Sequence, residues 1–160
     1  MPLADSEKKG EVSLPSARTL HRAGNWSGEA DRVTLACDER FLRRKVLHTD
    51  TGEAFLVDLP HATSLDHGDA LELSDGRLIG VIAAEEALLE ITGSDLPRLA
   101  WHIGNRHAPC QIEEKRLLIR KDHVLAEMLE KLGADVREIA APFTPEGGAY
   151  GQGRTHGHSH

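Results

Sequence analysis

Across residues 14–83 the apolar positions come in short runs broken by turn formers, with no helical period. Val33 and Leu35 alternate with polar neighbours, as on a half-buried strand. Residues 45–48 lead through Thr49-Asp50-Thr51-Gly52-Glu53 into 54–57, which predicts a hairpin with a Gly-containing loop. Leu71-Glu72-Leu73, then Ser74-Asp75-Gly76, then 77–82 predicts a second hairpin turning at Asp-Gly. This half reads as a small all-β module.

The texture changes near Ala84. Residues 87–92 read as a strand. Ser94 or Asp95 can cap a helix with Pro97 in its first turn, and Leu96, Leu99, Ala100 and Ile103 form its apolar stripe. Gly104 is its expected stop. Two strands follow, 108–113 and 115–120, joined by a tight turn. Asp122 can cap a second helix, striped by Val124, Leu125, Met128, Leu129 and Leu132 and ending at Gly133. A final strand spans 134–140. The order βαββαβ is the ferredoxin-like split motif, with both helices on one sheet face and the other face available. The expected fold is therefore α+β: a disordered N-terminus (1–11), a β-rich N-terminal domain (12–83), a ferredoxin-like domain (84–143) and a flexible His-containing tail (144–160).

Composition narrows the chemistry. The chain has 160 residues, enough for one ordinary domain or two small ones. Aromatics are 4%, so the core must be mostly aliphatic. A net charge of -7 argues against nucleic acid, which needs a basic face, and suits a protein that attracts cations. No apolar run reaches about 18 residues, so no transmembrane helix is expected. The polar first ten residues lack a signal-peptide core, which points to the cytoplasm. Cys37 and Cys110 are expected as free thiols there. No Gly-rich phosphate loop occurs, and no spacing makes a triad of the Ser, His and Asp residues, so no catalytic role is expected.

Three of the ten histidines, His156, His158 and His160, alternate with small residues at the C-terminus. Neutral imidazole is the commonest protein ligand for zinc, nickel and copper, and short His-rich tracts read as metal-binding. A purification tag is the other reading, but tags are usually uninterrupted, and this tail follows a Gly-rich spacer, Gly151-Gln152-Gly153-Arg154-Thr155.

Four segments then carry a resemblance: LPHATSLDHGDALELSDGRLIGVIAAEE (59–86), GNRHAPCQIEE (104–114), KDHVLAEMLEKLGADV (121–136) and APFTPEGGAYG (141–151). GNRH with a following Pro and Gln, then DHVL, then APF-x-PE-x-GAY, in that order, resembles the UreE family of urease accessory nickel metallochaperones. The resemblance implies an N-terminal β domain and a C-terminal ferredoxin-like metal domain through which the chain forms a homodimer. It implies delivery of Ni2+ to the urease apoprotein together with the urease accessory GTPase, with Zn2+ and Cu2+ as competitors. It assigns His107 as the metal ligand at the dimer two-fold, where two copies supply two imidazoles and the tail can complete the shell.

Other candidates are weaker. His123 sits at the DHVL position, where some family members carry a second His two residues earlier. Lys121 breaks that pair here, and a surface residue at a helix start is the alternative. Cys110 could make a His-x-x-Cys chelate with His107, or be a buried small hydrophobe. His102 does not share a helix face with His107. His21, His48, His61 and His67 are expected to face solvent. Arg40, Arg43, Arg44 and Lys45 form a basic cluster, either a solvated strand edge or a contact for an acidic partner. Two rival functions remain: a general nickel/zinc buffer, and a metal-dependent hydrolase, which would need an acid or base beside the metal.

Overall fold

A computed structural model describes residues 14–147. The histidines at 156, 158 and 160 lie outside the described residues. Two compact units emerge. One comprises 14–35 and 39–82; the other comprises 36–38 and 83–147. The second unit is thus built from two stretches of chain.

The first unit holds β1 (Ser16–His21), β2 (Glu29–Leu35), β3 (Phe41–His48), β4 (Ala54–Ser64), β5 (Ala70–Leu73) and β6 (Leu78–Ala83) in one sheet, ordered β2-β6-β5-β1-β4-β3. Both predicted hairpins form. β3 pairs with β4 in antiparallel register, Val46 opposite Leu56 and Leu47 opposite Phe55. β5 and β6 pair around Gly76, whose φ of 90° is the left-handed conformation that the Asp-Gly turn demands. The alternation expected at Val33 and Leu35 buries both residues. The pattern did not announce β1, which lies parallel to β4 and antiparallel to β5. Phe55, Val57, Leu71, Ile79 and Val81 fill an aliphatic core beneath it. The sheet curls enough for the Asp50 amide to donate to the Arg32 carbonyl at 2.7 Å.

Two surface expectations change. Arg40 is buried, and its guanidinium donates to the Leu35 carbonyl at 3.1 Å, so it is not part of a solvated cluster. Arg43, Arg44 and Lys45 remain exposed on β3, an edge strand, with Arg44 paired to Asp58 at 3.0 Å. His21 is half-buried and sits 2.7 Å from Glu72 rather than facing solvent freely.

The second unit runs β7 (Glu85–Thr92), α1 (Leu96–Asn105), β8 (Gln111–Ile112), β9 (Leu117–Arg120), α2 (His123–Lys131), β10 (Asp135–Pro142). Its sheet is fully antiparallel in the order β10-β7-β9-β8. Asp95 caps α1 by accepting from the Arg98 amide, and Asp122 caps α2 by accepting from Val124 and Leu125. The predicted stripes bury Leu99, Ile103, Leu125 and Leu129 against Leu89, Ile91, Leu117 and Ile119. The strand expected over 108–113 is shorter, because the chain is still leaving the helix cap at Ala108 and pairs only from Gln111.

The opposite sheet face is not simply available. Leu88 and Leu118 meet fully buried Phe143, with Cys37, Ile139 and Ala141 around them. The Cys37 amide donates to Glu86 at 2.9 Å and Asp38 pairs with Arg120, which seats residues 36–38 on this unit. No helix among the described residues is long and apolar enough to cross a membrane.

Candidate metal centre

The strand order brings three chain ends to one end of the second unit. Glu85 opposite Pro142 and Leu88 opposite Arg120 mark the end at which β7 starts and β9 and β10 finish. From there β7 runs away and α1 returns, delivering His107. β8 leaves and β9 returns, delivering His123. Then α2 leaves and β10 returns, delivering the root of the C-terminal tail. A helix crossing back over an antiparallel sheet has no other place to deposit these residues.

His107 is held there by an unusual backbone. The helix does not stop at Gly104, which lies inside α1; Arg106 is its C-cap. The His107 amide donates to the Gly104 carbonyl at 2.9 Å, and the Ala108 amide donates to the Ile103 carbonyl at 3.3 Å. This is a Schellman motif with His107 at its left-handed position, φ 59°. Helix α2 ends in the same motif: the Gly133 amide donates to Glu130 and the Ala134 amide to Leu129, both at 3.0 Å. There the left-handed residue is glycine, φ 93°. Among the described residues His107 is the one non-glycine with positive φ. A side chain in that region costs about 1–2 kcal/mol over a right-handed conformation. The motif turns the imidazole out of the helix, and His107 is exposed.

His123 is also exposed, at the first position of α2. Between the two helices runs an open groove lined by His102, Asn105, Arg106, Val124, Glu127 and Met128, among others. His107 follows its Arg106 and His123 precedes its Val124. His102 is half-buried in it, ring edge to face with exposed Trp101. Among the described residues no three His, Cys, Asp or Glu side chains converge to hold an ion.

Cys110 does not join His107. It is buried in the core between helices and sheet. Burial first, and then the charge of Glu146, push its thiol up to about 11, which favours the neutral thiol of a buried small hydrophobe.

The sequence reading missed what surrounds the tail root. Past β10 the chain buries Phe143, then the Thr144 amide donates to Gln111 Oε1 at 2.8 Å and the Glu146 amide donates to the Cys110 carbonyl at 2.8 Å. The tail therefore starts beside the loop that follows His107. The Gln of the GNRHAPCQ segment was in view, but a side chain's long-range partner leaves no local signal.

Comparison with known proteins agrees with this architecture. Residues 12–84 match the N-terminal domain, and residues 86–160 the C-terminal domain, of the UreE urease accessory protein. The urease accessory protein UreE of Ruegeria pomeroyi is 66% identical over 149 residues, 93% of this chain and 100% of that protein. Its counterpart in Cereibacter sphaeroides is 60% identical over 150 residues, covering 93% and 82%. That of Rhodobacter capsulatus is 59% identical over 138 residues, covering 86% and 88%. With both halves matched in order and close relatives covered nearly end to end, this chain belongs to the UreE family of urease accessory proteins.

Proposed function

We propose that the chain is a homodimeric metallochaperone that carries Ni2+, as cargo, to apo-urease in the cytoplasm, working with the accessory GTPase and catalysing no reaction itself. The second unit is then a ferredoxin-like metal domain, a reading supported by its element order and its sheet order. The single observation that carries the nickel reading is His107 in a left-handed helix cap. Glycine is the usual residue there and this same chain uses it at Gly133. An imidazole kept at such a position, exposed and aimed outward, is explained by a ligand's work.

One exposed imidazole cannot hold an ion alone. A second copy supplies its own His107 across a two-fold axis, which gives two ligands from one residue type. Exposed Trp101 and Val124, on the helices that flank His107 and His123, offer apolar surface for that copy to cover. His156, His158 and His160 complete the shell. His156 lies nine positions after Gly147, a covalent reach of up to about 30 Å. His123 is a peripheral ligand for a second, weaker ion. Nickel accepts imidazoles in several geometries, and a shell assembled from separate donors releases its ion more readily than a closed cage, as delivery requires.

Nickel titration calorimetry on the intact, His107→Ala and tail-deleted proteins tests this. His107→Ala should lose the tightest site. Tail deletion should lower the number of ions bound and leave a His107-dependent site. A His107→Ala protein that keeps its tightest site at full affinity would defeat the shared-site reading. Urease activation that does not depend on the chaperone would favour a metal buffer.

A further inference from the structure

We propose that the β3 edge of the first unit is a docking site for an acidic, extended segment of another protein, which joins the six-stranded sheet as one more strand. The surface belongs to the first unit, and the inference does not depend on the nickel reading.

The sheet ends in two edge strands, β2 and β3. Their charges are met differently. On β2, Arg32 pairs with Glu29 at 2.6 Å, and Asp31 accepts from Thr51. On β3, Arg43, Arg44 and Lys45 are consecutive and exposed. Arg44 lies 3.0 Å from Asp58, and Arg18 of β1 lies 3.9 Å from the same carboxylate. Arg43 and Lys45 take part in no ion pair among the described residues. Four cations thus share one carboxylate, in a chain of net charge -7.

The register places these cations on both faces of the sheet. Lys45 stands opposite Val57, a core residue of the inner face. Arg44 stands opposite Asp58 and Val46 opposite Leu56, on the outer face. Arg43 lies at the shift in register between Leu42 and Arg44. A strand laid along β3 alternates its side chains between the same two faces. Consecutive acidic residues in it meet Arg44 on one face and Lys45 on the other. Val46, 44% exposed, accepts an apolar neighbour beside them.

Charge on an edge strand commonly keeps other strands off. A block of that kind needs no particular sign and leaves no valine open. Consecutive cations beside an exposed Val46 instead select one kind of strand: they repel a basic segment or a second β3 edge and admit an acidic one. Main-chain hydrogen bonds along the edge supply affinity, and the side chains supply the choice. Nucleic acid fits less well, because a net charge of -7 repels a polyphosphate, which also makes no ladder with strand amides.

Fluorescence anisotropy of the full chain with labelled Thr-Thr-Val-Glu-Glu-Glu-Thr-Thr, blocked at its C-terminus, tests this. Saturable binding is expected. The double variant Arg43→Gln, Lys45→Gln should weaken it about two- to thirtyfold, the worth of two exposed ion pairs. Both side chains are exposed, so the variant should unfold at the wild-type urea midpoint. Methylating every second amide nitrogen of the peptide keeps its charge and removes one side of its ladder, so one of the two alternate sets should abolish binding. Amide hydrogen exchange within residues 43–46 should slow when the unmethylated peptide is bound. Absence of saturable binding would overturn the proposal. So would full binding by both methylated peptides, undiminished affinity in the double variant, or unchanged exchange at 43–46. Tighter binding of an eight-residue oligothymidylate would assign the patch to nucleic acid instead. Wild-type self-association that the double variant loses would give the edge to a second copy and overturn the proposal equally.

Discussion

His107 and Gly133 occupy the same position in the same capping motif, so the chain carries its own control for what that position prefers. Replacing His107 by Gly removes the left-handed penalty, partly offset by glycine's larger entropy loss on folding, for a net gain of about 0.5–1 kcal/mol. In chelator, His107→Gly should therefore raise the urea unfolding midpoint, whereas His107→Ala, which keeps the penalty, should not. With nickel in excess the order should invert, because the ion stabilises only the protein that binds it. A His107→Gly protein no more stable than wild type in chelator would show that the backbone there carries no strain. The sequence reading placed the stop at Gly104 for a good local reason, glycine being the residue that usually takes this conformation. Nothing in the letter His announces a left-handed φ. The motif resemblance singles out His107 as a candidate where residue chemistry alone leaves it a surface histidine.

Strand β7 shows how much an alternating pattern can say. Leu89 and Ile91 face the helices, and Leu88, Glu90 and Thr92 must then share the other face. The hairpins and helices were legible because their signals are local: an Asp-Gly turn, an i, i+3, i+4 stripe, a capping aspartate. The pairing of β1 with β4, forty residues on, and the burial of Phe143 on Leu88 and Leu118 were not, because they depend on what the rest of the chain has already built. Glu90 on the outer face illustrates the difference. Its carboxylate accepts from Arg116 at 3.0 Å and from Arg137 at 2.8 Å, bridging β7 to β10 and to the residue that precedes β9. Arg116 first, and then Arg137, hold its pKa below the ordinary 4.5. A depressed carboxylate adds stability above its unfolded value and loses it as pH falls through its folded value. Glu90→Gln should thus be less stable than wild type at pH 7, with the gap closing below about pH 4.5. Denaturant unfolding at a series of pH values reads this directly, and a gap that persists undiminished into acid would remove the ion pairs as its cause.

At the scale of the molecule, the antiparallel order sets His107, His123 and the tail root at one end of the second unit, and the shared site proposed above needs a second copy to complete it. Metal binding and association are then linked: nickel should tighten the dimer by mass action. Sedimentation across a dilution series should show more dimer with nickel than with chelator in wild type and no such difference in His107→Ala. A wild type that binds nickel as a monomer at every concentration would break the linkage. The domain halves were visible as a change of texture near Ala84, but the return of residues 36–38 to the second unit was not, since three residues carry no pattern. That detour bears on inheritance. A recombination event at the seam near residue 83 would move the second unit without Cys37 and Asp38, leaving Phe143 short of its cover and Arg120 without that ion pair. Shuffled descendants would begin with a damaged surface, so the two halves are expected to travel through genomes as one inherited block.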